Sequence, residues 1–340
     1  MDRAISKTLW VGDEEHGMTV TIRQIIPAEA AEVVKMVKRA FGDVFGFYKD
    51  EEIIKLNQNG SLFSLVAVTE DGDLAGHLDL EFFNESNIAL MDNACTPEKY
   101  SHTHIVFELA KFIIDYAKNF NIEGVLSLSL TNHTIFQRVA NHFGSDCGLL
   151  LGSVPIKDPS CKQLQSHYID STVVNFIPFR PKPLVKLYIP EHHQNLIEQI
   201  YTMLGYPFIA CHVEQLSPPS TDGIVELINE NMGVVILYVV DYGHDTLAQI
   251  ELELKYIFGE EKQVAAYIYL NLEDPYTPHF VKMFEKMGFI FSGILPFGGK
   301  GRDVIILQYL NSTVDLDKIA AFSPMSKEIL AHIRSCKAFW

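Results

Sequence analysis

His77, Asp79 and Glu81 share one face of a run that alternates with period two, and Leu78, Leu80 and Phe82 take the other. An imidazole among two carboxylates is equipped to move protons; the same alternation also fits a solvated sheet face. Further on, Asp92 falls inside the apolar run Ile88–Cys95. An ionised carboxylate without a partner is costly in such a strand, so its pKa rises toward that of a general base. Asp92 is therefore the first candidate base, followed by Glu81 and His77 on the adjacent strand. A structural carboxylate bonded to neighbouring backbone or hydroxyl groups is the alternative.

Two other polar groupings stand out. Tyr100-Ser101-His102-Thr103-His104-Ile105 follows Pro97 and leads into a helix whose apolar residues include Leu109, Phe112, Ile113 and Tyr116. A helix start carries unpaired N–H groups that suit an anion. Asn132 and His133 follow a strand, and Gln137 stands at i, i+4 from His133. No metal site is expected: His102/His104 and His192/His193 lack the i, i+4 spacing of a helical zinc pair, and no cysteine cluster accompanies them.

The elements that must position these groups come in a recognisable order. Thr19–Ile25 alternates as a strand. Pro27 opens a helix with Ala30, Val33, Val34, Val37 and Phe41 on one face, and Asp50 starts a second. Phe45, Phe47 and Tyr48 between these helices either line a substrate pocket or pack on the sheet. Leu62–Thr69 and Leu74–Phe83 flank Asp71-Gly72, a strong hairpin signal. Strand, loop, long helix, strand, helix and strand then run from Ile88 to Val154, and residues 170–179 add a last strand. Residues 1–17 read as a loose arm.

This order, with the Ile88–Pro155 unit at its centre, resembles the GNAT N-acetyltransferase superfamily. The second half repeats it. Leu149–Pro155 is echoed by Phe289–Pro296, and Phe284-Glu285-Lys286-Met287-Gly288-Phe289 is similar to the family's Tyr-Glu-Lys-x-Gly-Phe helix end. The expected fold is α/β (α+β), with two GNAT-like domains, each a mixed, mostly antiparallel sheet flanked by helices. The expected division is 1–179, a linker at 180–183 (Arg-Pro-Lys-Pro), a degenerate copy at 184–313 and a helical tail at 314–340.

The resemblance implies acetyl-CoA as co-substrate and direct attack of an amine on its thioester. It implies an oxyanion site at backbone N–H groups around Ala94 and Cys95, a phosphate-binding turn over Tyr100–Ile105, and a cofactor-arm contact near Asn132, His133 and Gln137. The chain departs from the family at that turn. The family pattern Arg/Gln-x-x-Gly-x-Gly/Ala has no glycine here, so Ser101 and Thr103 hydroxyls and charged His102 or His104 would have to substitute. Ala140 stands where the family keeps the tyrosine that protonates the leaving thiolate, and Phe284 takes that place in the second half.

Composition sets outer bounds. Lys and Arg number 27 against 43 Asp and Glu, a formal charge of −16, which argues against a nucleic-acid partner and favours a cationic or amine acceptor, small molecule or peptide. The longest apolar runs fall far below the ~20 residues of a membrane span. Five unpatterned cysteines and no apolar leader point to the cytoplasm. Met325, Ile329, Leu330 and Ile333 form one face of a tail helix that docks on its own domain or joins a homodimer. Two readings remain open: an acyl-CoA-dependent N-acyltransferase, or a non-catalytic GNAT-like module that binds a small molecule or protein.

Overall fold

The computed structural model describes residues 6–13, 17–42, 49–83, 86–154, 170–213, 216, 217, 219–229, 234–259 and 264–337. Phe45, Phe47 and Tyr48 lie outside them.

The N-terminal residues expected to be a loose arm include a strand. β1 (Ser6–Val11) pairs antiparallel with β2 (Met18–Gln24). Val11 is buried and Leu9 packs on the same core, so alternate apolar residues hold this edge strand in place. Helices α1 (Ala30–Phe41) and α2 (Asp50–Asn59) follow, then the hairpin β3 (Leu62–Thr69) and β4 (Leu74–Phe83), turned at Gly72 with φ 88°. β5 (Ile88–Cys95), α3 (Ile105–Ala117), β6 (Gly124–Leu130), α4 (Ile135–Phe143), β7 (Ser145–Val154) and β8 (Asp170–Pro178) complete the half.

In the second half, β9 (Val185–Tyr188) and β10 (Phe208–Cys211) form a separate parallel pair around α5 (Gln194–Leu204). The expected opening strand of the repeat is therefore outside the main sheet. It is four residues long and has Pro183 and Pro190 close to its two ends, which removes ladder donors on both sides. β11 (Ile224–Asn229), β12 (Val234–Asp241), α6 (Thr246–Gly259), β13 (Ala265–Asn271), α7 (Thr277–Lys286), β14 (Ile290–Gly299), β15 (Arg302–Leu310) and α8 (Pro324–Lys337) follow.

One 13-stranded sheet runs through both halves in the order β1-β2-β3-β4-β5-β6-β8-β7-β14-β15-β13-β12-β11. From the far edge, β11-β12-β13-β15-β14 has the same pattern as β4-β5-β6-β8-β7, so the halves meet through equivalent strands. At the seam Gly148 pairs with Gly293. Gly293 has φ 144°, and a Cβ there would lie 2.3 Å from the Gly148 Cα. Side chains stitch the rest of the joint. Ser292 Oγ donates to the Leu149 carbonyl (2.8 Å), Tyr267 O–H to the Leu151 carbonyl (2.7 Å), and the Leu151 amide to Gln308 Oε1 (2.8 Å). The apolar face of α8, Met325, Ile329, Leu330 and Ile333, is buried against this seam.

The segment expected to be a linker is anchored. Lys182 is buried, its ammonium paired with Asp303 and 4.3 Å from the Phe297 ring centroid; Tyr201 O–H and the Phe297 amide also donate to Asp303. The second half thus accepts the chain through a satisfied buried ion pair.

Candidate functional site

Strand β5 is bent where chemistry was expected. Asp79 pairs with Asp92 and His77 with Cys95, so Asn93 and Ala94 together stand opposite Leu78. Asn93 takes φ 57°, which places it in the left-handed region and makes the extra residue a bulge. On its other side β5 pairs with β6 only through Ala89–Val125, Leu90–Leu126 and Met91–Ser127. Beyond that point the two strands part, and the β5-facing edge of β6 has no strand partner among the described residues.

The carboxylates occupy different environments. Asp79 is fully buried and accepts from Ser64 Oγ (2.5 Å) and Asn93 Nδ2 (3.0 Å), with His77 Nε2 at 3.2 Å. Asn57 holds Ser64 in turn, donating from Nδ2 to Oγ (3.0 Å) and accepting the Ser64 amide (2.9 Å). His77 is 0% exposed, with Nδ1 2.9 Å from the Leu65 carbonyl. The proposed solvated face is therefore a buried network that pins the bulge, and His77 positions Asp79 instead of meeting an acceptor. Asp92 is only half-buried. Burial pushes its pKa up to about 6, against a hydrogen bond from the Asn93 amide and with help from the Asp79 charge. Glu81, more exposed, is raised too, by partial burial first and then by Asp92 and Asp79.

A small cleft of about 90 Å³, open to solvent, follows the parting of the strands. Asp92, Ala94, Leu128, Leu130, His133 and Phe136 line it, with Ser153 and Thr172 on its floor. It is mostly apolar with a few convergent polar groups, which is the make-up of a small-molecule site. His133 is held below its ordinary pKa by burial, opposed by Asp170, so a neutral imidazole and a raised carboxyl share one cavity.

A bulged strand splayed from its parallel neighbour, between a hairpin and a strand-helix-strand-strand return, decides the architecture. This arrangement is the GNAT-like one expected from the sequence. No protein-family profile and no curated protein matches the sequence. Similar solved structures include a ribosomal-protein-S5-alanine acetyltransferase from Vibrio fischeri (12% identity, 52% of this chain, 100% of that one, TM-score 0.39). An acetyltransferase of the GNAT family from Staphylococcus aureus Mu50 is another (15%, 47% and 99%, 0.37). A third is the spermidine/spermine N-acetyltransferase SpeG from Vibrio cholerae (11%, 47% and 95%, 0.38). Each spans about half of this chain.

The turn expected to hold phosphate is packed by its own side chains. Tyr100, Thr103 and Ile105 are buried and point inward. The Thr103 hydroxyl donates to the Tyr100 carbonyl at 2.6 Å, Ser101 Oγ donates to the Glu98 carbonyl at 2.8 Å, and Tyr100 O–H donates to Asp73 at 3.0 Å. The expected hydroxyl donors are thus spent on the turn itself. His104 takes φ 56° at the helix start, and Gly76 lets Ile105 close against β4: a Cβ there would lie 2.5 Å from Ile105 Cγ2. Ser101, His102 and His104 face solvent.

Of the remaining expected contacts, the cleft brings in His133 but not Asn132 or Gln137. Gln137 is buried and wholly committed. Its Nε2 donates to the carbonyls of Leu130 (2.9 Å), His133 (3.0 Å) and Ala320 (2.7 Å), and its Oε1 accepts the Phe322 amide (2.9 Å). These bonds tie α4 to residues 320–322. Cys95 is buried, and burial pushes its thiol up.

The second half lacks this opening. β12 and β13 stay paired from Val234–Ala265 to Val239–Leu270. At the start of α6, Asp245 Oδ1 accepts the Gly223 amide (2.7 Å) and Gln249 Nε2 donates to the Gly223 carbonyl (3.0 Å), so the chain's own loop covers that helix start.

Proposed function

We propose that residues 1–179 form an acyl-CoA-dependent N-acyltransferase unit acting on an amine, with 184–313 a closed, structural copy and 314–340 a strap across the seam. One observation carries this reading: β5 and β6 part after Met91 and Ser127 into a cleft that Asp92 and His133 enter. A pantetheine arm, with its peptide-like amides, fits the unpartnered edge of β6, and buried Asn93 Oδ1 and Ser129 Oγ are without hydrogen-bond partners beside that parting. For the diphosphate, the N–H groups of Ile105 and Val106 in the first turn of α3 and the exposed His102 and His104 are the groups at hand. Acetyl-CoA supplies an activated thioester carbonyl when bound. Asp92, raised toward neutrality, takes the proton of the incoming ammonium, and amides at the Asn93–Cys95 bulge stabilise the carbonyl oxygen. The acidic chain favours a cationic acceptor, a polyamine or an amine-bearing peptide.

Titration calorimetry with acetyl-CoA, followed by thiol release over an amine panel, tests the proposal. Saturable binding with thiol release abolished in Asp92→Asn supports it; absence of binding at millimolar acetyl-CoA removes it. The spent hydroxyls of Ser101 and Thr103 favour a second reading, a GNAT-like module that binds a small ligand in the same cleft without turnover. Binding without thiol release from any amine would select that reading.

A further inference from the structure

A group of metal-ligating side chains lies far from the cleft, where α8 meets the turn before α5. His193 is 0% exposed. Its Nε2 is 2.9 Å from Glu285 Oε1 near the end of α7, and its Nδ1 is 2.8 Å from His332 Nε2. Cys336 lies one helical turn beyond His332, and the ligand atoms of His193, His332 and Cys336 all fall within 4.8 Å of one another. His192 Nε2 approaches the same Glu285 carboxylate at 2.8 Å from the exposed side. The Phe291 ring walls the group, its centroid 4.6 Å from that of His193 and 5.1 Å from that of His332.

The hydrogen bonds impose a direction on His193. The Glu285 carboxylate lies within 2.9 Å of both His192 Nε2 and His193 Nε2 and accepts the His193 Nε2–H. That fixes the tautomer and leaves the Nδ1 lone pair aimed at His332 and Cys336. A carboxylate holding the far N–H of an imidazole is the usual outer support of a metal-bound histidine.

We propose that His193 Nδ1, His332 Nε2 and Cys336 Sγ bind a zinc-class divalent ion, with Glu285 orienting His193 from behind. Two imidazoles and one thiolate suit zinc and leave a fourth position open to solvent. Ligand atoms on a tetrahedral zinc stand roughly 3.3–3.7 Å apart, so the direct His193–His332 contact opens by about half an ångström to admit the ion. His332 and Cys336 are both half-buried, which gives the ion a way in. Binding displaces the Cys336 thiol proton to solvent and pins α8 to the body of the second half. His192–His193 was weighed as a zinc pair in the sequence and rejected on spacing. The i, i+4 pair that fits is His332–Cys336, and its partner is distant in the chain.

Chelator-stripped protein titrated with Zn²⁺ against a chromophoric competitor should bind one equivalent, and Co²⁺ should give a thiolate-to-metal absorption band in the near ultraviolet. Cys336→Ser should abolish that band. Cys336→Ser and His332→Ala should each weaken Zn²⁺ beyond the ~10–100-fold expected for Glu285→Gln, which keeps the band. His192→Ala should leave affinity unchanged. Circular dichroism checks that each variant folds, and Zn²⁺ should raise the Tm of the parent but not of Cys336→Ser. Absence of stoichiometric binding, binding indifferent to both Cys336→Ser and His332→Ala, or loss in His192→Ala alone would overturn the assignment.

Discussion

Asp79 and Asp92 are directly opposed residues of β4 and β5, yet only one of them meets solvent. Asp79 is enclosed by Ser64, Asn93 and His77. Asp92, one strand spacing away, opens on the cleft and has its pKa raised partly by Asp79. The buried carboxylate holds the bulge through Asn93 and raises the pKa of the other, the base in the proposed reaction.

Asp92→Asn should separate stability from activity. The carboxyl is held at about 6 against an ordinary 3.8, so the stability that protonation contributes is full below about pH 4 and is lost as the pH rises through about 6. At about pH 8 the amide variant should be more stable than the parent by roughly 1–3 kcal/mol, with no gain at about pH 4. Thermal melts at the two pH values measure this. Turnover in the parent should fall as the pH drops through about 6, and the variant should have little at any pH.

Gly293 should tolerate no side chain. It has φ 144°, and a Cβ would drive into the Gly148 backbone. Gly293→Ala should cost at least about 2 kcal/mol, with the halves losing their common unfolding transition. Gly205 is the control: φ is 68°, but nothing lies within 4 Å of its added Cβ, so Gly205→Ala should cost only about 1 kcal/mol. Urea unfolding followed by near- and far-ultraviolet circular dichroism distinguishes the two.

The fold was legible where local pattern and tertiary demand agree. Asp71-Gly72 marked its hairpin because a tight turn needs a positive φ, and Asp92 stood out because a lone carboxylate in an apolar strand is costly. The burial of His77 and Asp79 was not legible, since period two gives a face but not what covers it; here α1 and α2 do. The partners of Gln137 were not legible because Ala320 and Phe322 are 183 and 185 residues away. The His193–His332 contact spans 139 residues, beyond any motif window.

Lys182→Met should leave Asp303 as a buried charge whose remaining partners are Tyr201 and the Phe297 amide. Removing one member of a buried pair costs about 3–5 kcal/mol, whereas replacing both by apolar residues is far milder. The double variant Lys182→Met/Asp303→Leu should therefore recover part of the loss, and a double-mutant cycle from urea melts should give a coupling of at least about 1 kcal/mol. A cycle that closes to zero would mean that Lys182 contributes packing on Phe297 alone.

Gln137→Ala should loosen the strap without opening the cleft. Four hydrogen bonds converge on this side chain, two of them to residues 320 and 322, while Ala320 N–H also donates to the Thr131 carbonyl at 2.8 Å. Removing a buried hub leaves carbonyls unsatisfied at about 1–3 kcal/mol for the group. Amide hydrogen exchange should accelerate at Phe322 most, because its acceptor is gone, and less at Ala320, whose acceptor remains. Acetyl-CoA affinity should be unchanged, since Gln137 does not line the cleft. If affinity instead falls with the exchange protection, the strap and the cleft are coupled, and Gln137 would be a positioning residue for His133 through the bond to its carbonyl.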